Sequence, residues 1–217
     1  MKSILRLRLF VVLFVAGVQS SFGASVMLDS FSEGSFLLQG DGTRTNETSI
    51  VSPFVTTRTT DAWGNGTWSV TLPPDSGVLT YVVAEILAGQ GGTRFAMGIE
   101  YINTSGGWSF LGYDALVFDF TSVTGEGLLE IFVNDQDFGA MVRRSVAAPG
   151  LLVYPLEDLA ASDLGALSRM SVRVIPQSET FSFSLNEITV VPEPSILMML
   201  LSVAFVFCGR RVRRSET

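Results

Sequence analysis

The sequence predicts an all-β protein, a two-sheet sandwich, set between two apolar end segments. Three observations carry this. Strict apolar–polar alternation recurs along the middle of the chain, turn signals rich in glycine and asparagine separate the alternating runs, and no long stretch shows the apolar period of a helix. Short strands with no helices to cover them can bury their apolar faces only against a second sheet.

In chain order, Lys2, Arg6 and Arg8 precede an apolar run from Leu9 to Val18 and then a small-residue stretch. This is the layout of a secretory signal peptide, with cleavage by signal peptidase expected after Gly23 in the frame Ser21-Phe22-Gly23. The apolar run is too short to cross about 30 Å of hydrocarbon as a helix. Residues 24–190 form the expected β-sandwich body. Its clearest strands are "ALVFDF", with Leu116, Phe118 and Phe120 on one face, "MSVRV", with Met170, Val172 and Val174, and "FSFSLNEITV", with Phe181, Phe183 and Leu185. Further strands are expected near 26–31, 49–57, 67–72, 78–86, 94–102, 128–133 and 150–154. Gly40-Asp41-Gly42, Asn65-Gly66, Gly89 to Gly92 and Ser105-Gly106-Gly107 supply turns between them. The one helix-like stretch is "EDLAASDLGALSRM", where Asp158 and Ser162 are candidate caps.

After Val191-Pro192-Glu193-Pro194-Ser195 comes a segment, 196–208, that is apolar on all faces, followed by a basic tail, 209–217. As a helix of about 1.5 Å rise per residue the segment covers roughly 20 Å, short for a bilayer. Pro192 and Pro194 set it apart from the preceding strand pattern. Arg210, Arg211, Arg213 and Arg214 are expected to hold the tip in the cytoplasm, opposite an exported body.

Charge narrows the function classes. The formal net charge is −7, but the body holds only seven of the 14 basic residues, all arginine, against 19 of the 21 acids, which leaves it at −12. Such a surface repels phosphate backbones, so nucleic acid is not an expected partner. The chain has no histidine, the usual general base and commonest transition-metal ligand. Its one cysteine, Cys208, lies in the apolar C-terminal segment, so the body holds no disulfide and no thiolate metal site. No cofactor is expected.

Two ligand sites are candidates. Trp63, Trp68 and Trp108 lie in or beside glycine-rich turns ("DAWGNGTW", "SGGWSF"), with Tyr101 and Tyr113 nearby. Flat rings on loops are suited to stacking on the CH faces of sugars, with Trp108 the preferred platform; the alternative is that they plug the sandwich. The turn Asn134, Asp135, Gln136, Asp137 could gather oxygens around Ca²⁺, or be a plain hairpin turn. Paired carboxylates acting on a glycoside would need two of Glu85, Glu100, Asp114, Asp119 and Glu130 to face one cleft. Spacing alone does not bring any two together, and no catalytic residue is assigned.

The C-terminal triplet of motif, apolar segment and arginine cluster resembles the PEP-CTERM sorting signal of Gram-negative bacteria. That resemblance implies recognition of Val191, Pro192, Glu193 and Pro194 by exosortase. It also implies transient anchorage in the inner membrane and release or transfer of the body to the cell envelope surface or outside the cell. The order "YDALVFDFTSV", "LLEIFVND", "YPLEDLAASDLGALSRMSVRV", "FSLNEITV" is similar to the latter half of galactose-binding-like jelly rolls, with Pro155, Leu156, Asp158 and Leu159 in the characteristic loop. This second resemblance implies a jelly-roll sandwich of the kind seen in carbohydrate-binding modules. Together they give an expectation of an exported, non-catalytic matrix or envelope protein with exopolysaccharide as partner, and a secreted glycan-active enzyme as the alternative.

Overall fold

The computed structural model describes residues 24–40, 42–64, 66–86, 96–133, 142–159 and 164–192. The signal-peptide region, the Asn134 to Asp137 turn, Ser162, Glu193, Pro194 and the arginine cluster lie outside the described residues. Among the described residues thirteen strands form: β1 (Val26–Asp29), β2 (Phe36–Gln39), β3 (Gly42–Ser49), β4 (Thr57–Gly64), β5 (Gly66–Leu72), β6 (Leu79–Ile86), β7 (Ala96–Ile102), β8 (Tyr113–Thr124), β9 (Gly127–Val133), β10 (Val142–Val146), β11 (Gly150–Pro155), β12 (Arg169–Pro176) and β13 (Phe181–Pro192). They make two antiparallel sheets. One runs β11-β8-β13-β6-β5-β2, with β1 also on β13; the other runs β10-β9-β12-β7-β4-β3. The protein is an all-β two-sheet sandwich.

The core lies between the sheets and is filled by the alternating runs. Leu116, Phe118, Phe120, Phe181, Phe183 and Leu185 come from the first sheet, and Met170, Val172 and Val174 from the second. Each large apolar side chain removed from water contributes roughly 1.5–3 kcal/mol. Tyr81, Phe120, Phe181 and Phe183 form a ring cluster with centroids 5.4–6.3 Å apart. Leu156 and Leu159 of the expected loop are buried, as packing positions should be. Of the helix-like stretch and its entry, Leu156–Asp158 forms a 3-10 turn in which Asp158 pairs with Arg144, and residues 160–163 lie outside the described residues.

One expectation is corrected. Residues 50–56 are a loop, not part of a strand at 49–57; strands lie on either side of it, in β3 and β4. β13 extends as far as Pro192, which pairs with Tyr113 at the start of β8. Proline is tolerated at a strand terminus.

β4 carries an unusual core residue. Arg58 faces inward and is fully buried, as is the Asp29 side chain. Nη1 donates to Asp29 Oδ1 at 2.9 Å and Oδ2 at 3.0 Å, while Nη2 donates to the Glu33 carbonyl at 2.6 Å. Tyr101, opposite Arg58 on β7, donates its hydroxyl to Asp29 Oδ2 at 2.9 Å, and the Phe31 amide donates to Oδ1 at 2.8 Å. Burial pushes the Asp29 carboxyl up, against the pull of Arg58 and the other donors. Burial also holds the Tyr101 phenol well above its usual range, which keeps it a donor. Phe31 sits at φ 51, an uncommon conformation for a bulky residue, with its ring 5.1 Å from the Arg58 guanidinium. The network ties the loop after β1 to the opposite sheet.

Candidate functional site

The outer face of the six-stranded sheet is where the charged side chains converge. On β7 the outward positions are Ala96, Gly98 and Glu100, because Met97, Ile99 and Tyr101 point into the core. Small residues there leave a low floor. β4 raises one wall with Trp63, Asp61 and Thr59, paired across from Ala96, Gly98 and Glu100. β12 raises the other with Arg173 opposite Gly98, Ser171 opposite Glu100, and Arg169. The result is a groove of about 350 Å³ running along β7, with Thr45 of β3 at its margin.

Charge in this groove is arranged in cross-strand rows. Arg143, Glu130, Arg173, Gly98, Asp61 and Thr45 follow one another across all six strands. Glu130 is only 2% exposed although it points outward, since Arg143 Nε donates to it at 2.8 Å and Arg173 Nη1 lies 3.8 Å away. Arg169 Nε is 2.9 Å from Glu100 Oε1. The Arg173 guanidinium is 5.4 Å from the Trp63 ring centroid and 4.9 Å from that of Phe132, a cation–π arrangement that fixes its plane.

Asp61 stands apart. Among the described residues it has no salt bridge, and its carboxylate lies over the bare backbone of Gly98, where a Cβ would come 2.3 Å from Oδ1. Burial pushes its carboxyl up; its own amide and the charge of Arg173 pull it down, and Glu100 adds to the rise. A desolvated carboxylate beside a groove, without a counter-ion in contact, makes Asp61 the candidate ligand-binding residue of this face.

The three tryptophans separate. Trp63 is half-buried at one end of the groove. Trp68 is a core residue, 3% exposed, on the inward face of β5 with Val70 and Leu72. Trp108 is 6% exposed and is not the exposed platform expected of it. Gly106, at φ 140, turns the loop back. Trp108 then exchanges backbone hydrogen bonds with Leu167 at 2.9 and 2.8 Å. Its ring packs 4.9 Å from Phe110 and 6.1 Å from Phe54, plugging one end of the sandwich. Tyr101 is buried in the Arg58 network and Tyr113 packs against Phe54. Of the five carboxylates considered, Glu100 and Glu130 share the groove face, each held by arginine; Asp119 accepts from Asn186 on the other sheet. Asp61, Gly98, Arg169 and Arg173 were not singled out from the sequence. The polar face of "RMSVRV" and the i, i+2 spacing of Asp61 and Trp63 were the available signals, and the second required recognising β4.

No family model matches the chain, and no curated protein sequence matches it. Among solved structures it is similar to a family 11 carbohydrate-binding module of a cellulosomal cellulase of Clostridium thermocellum, at 13% identity and TM-score 0.40, covering 78% of this chain and 95% of that one. It is also similar to a family 29 carbohydrate-binding module from Piromyces equi, at 13% identity and TM-score 0.38, covering 73% and 91%. An agarase shows 13% identity and TM-score 0.43 over 79% of this chain and 25% of the enzyme. At these values no residue and no ligand carries over from any of them.

Proposed function

We propose that the chain is an exported, non-catalytic β-sandwich protein that binds glycan in the groove along β7. The observation that supports this reading is the groove itself. A low floor, a partly buried tryptophan at one end, and hydroxyl, carboxylate and guanidinium groups along both walls set an apolar ring beside hydrogen-bonding partners. That is the mixture a sugar, apolar on its CH faces and polar at its rim, requires. Glycoside hydrolysis needs one carboxyl free to give a proton and another to attack or activate water. Glu100 and Glu130 are each engaged by arginine, which favours binding over catalysis.

The test is affinity electrophoresis of the full chain, in detergent, through gels containing neutral polysaccharides. Trp63→Ala should abolish retardation by the retained polysaccharide, while Glu187→Gln on the other sheet should leave it intact. Retardation that survives Trp63→Ala would move the site elsewhere.

The termini support a further part of the reading: signal peptidase removes the N-terminal segment, and exosortase reads Pro192, Glu193 and Pro194. The body is then passed from the inner membrane of a Gram-negative bacterium to its envelope surface or beyond, with exopolysaccharide as the partner met there. In a host with exosortase, Glu193→Ala combined with Pro194→Ala should leave uncut protein in the inner-membrane fraction. Unchanged release of the double variant would refute the sorting assignment.

A further inference from the structure

The charges in the groove carry information about which glycan it takes. Three of the body's seven arginines, Arg143, Arg169 and Arg173, lie on this one face of an otherwise acidic protein. A count alone would suggest a site for acidic polymers. The contacts argue otherwise. Arg143 and Arg173 converge on Glu130 at 2.8 and 3.8 Å, and Arg169 holds Glu100 at 2.9 Å. Each guanidinium already faces a carboxylate, and Arg173 is further pinned between two aromatic rings. A carboxylate or sulfate on an incoming polymer would have to displace Glu130 or Glu100, leaving a desolvated anion behind, which is costly. It would also approach Asp61, the one carboxylate in the groove with no cation in contact among the described residues.

Asp61 has the geometry for a different task. Gly98 gives its carboxylate a place to lie over the floor of the groove, and any side chain there would collide with it at 2.3 Å. Two carboxylate oxygens accept from two donors at once, and such charge-assisted bonds are the stronger kind. Adjacent hydroxyls on a sugar ring present two donors at matching separation. The backbone of Gly98 and the hydroxyls of Thr59, Thr45 and Ser171 complete a lining with no unmatched positive charge.

We infer that the groove along β7 takes a neutral glycan by its vicinal hydroxyls, received by the carboxylate of Asp61, and that it rejects uronate and other anionic polymers. This rests on the glycan-binding reading above and adds the ligand class and the residue that selects it.

The experiment titrates the full chain, in detergent, by calorimetry against three matched pairs of soluble polymers. These are a glucan with polyglucuronate, a galactan with polygalacturonate, and a mannan with polymannuronate, so that each pair differs chiefly in the carboxylate. At least one neutral polymer should bind, at least about tenfold more tightly than its uronate partner, with an affinity that does not fall as salt is raised. Asp61→Asn should weaken that binding about tenfold or more. Gly98→Ala keeps the charge but evicts the carboxylate from its seat, and should weaken binding likewise. Thermal melts of both variants establish that they are folded. A uronate bound as tightly as its neutral partner would overturn the inference and leave glycan binding standing. Unchanged affinity in both variants would overturn the role of Asp61. If none of the six polymers binds, the glycan-binding reading itself fails and the inference fails with it.

Discussion

In the proposed role, the Asp61 side chain favours binding at the expense of stability. Its folded carboxyl sits above the ordinary value of 3.8, because burial disfavours the anion more than Arg173 and its own amide favour it. A raised folded value means the folded state holds the proton more tightly than the unfolded chain does. The associated stability is therefore fully present below the ordinary value and is lost as pH rises through the raised one. At neutral pH the ionised Asp61 works against folding. Asp61→Asn should melt at a higher temperature than the natural protein at pH 7, and the gap should close as the pH is lowered below the ordinary carboxylate value. Equal melting temperatures at both ends of that range would remove the case for a strained carboxylate. Stabilisation combined with weakened binding is the pattern expected of a functional position.

β4 explains both what the sequence disclosed and what it hid. The strands read correctly from alternation are those whose inward residues are apolar, such as Leu116, Phe118 and Phe120 or Phe181, Phe183 and Leu185. In β4 the inward residues are Arg58, Thr60 and Ala62, so the apolar signal is missing and Thr57–Gly64 reads as a loop. β3 escapes the same pattern for a related reason: as an edge strand it exposes polar residues on both faces. Without β4 the sequence does not put Asp61 and Trp63 on one face, and Trp63 reads only as a ring near a turn. Trp108 reads as exposed because its loop is rich in glycine, while its burial depends on Phe54 and Leu167, far away in sequence. The polar β4 is held by the Arg58–Asp29 pair, and its dependence on that pair is testable. Breaking it from one side, by Asp29→Ala or Arg58→Ala, should cost about 3–5 kcal/mol in urea unfolding, since the remaining charge stays buried. Replacing both together, with Asp29→Leu and Arg58→Met, should cost less than either single change. Single variants within about 1 kcal/mol of the natural protein would mean that the network does not secure the strand.

The proposed function divides the work of the whole molecule between the two sheets. The seven-stranded sheet supplies the long central strands β8 and β13, and β13 ends at Pro192, where the chain passes to its C-terminal segment. The six-stranded sheet carries the groove, and three of the body's seven arginines lie on its outer face. Under the proposed function, attachment and recognition fall on different sheets, so that binding need not disturb the end by which the body would be held. Glycan binding in the groove along β7 is tested most directly by an amide chemical-shift map of the isotope-labelled full chain, in detergent, during titration with an oligosaccharide of the tightest-binding neutral polymer. The shifts should concentrate at Thr59, Asp61 and Trp63 of β4, Gly98 and Glu100 of β7, and Arg169 to Arg173 of β12. Shifts confined to β8 and β13, or to the loop around Trp108, with the groove unmoved, would contradict it.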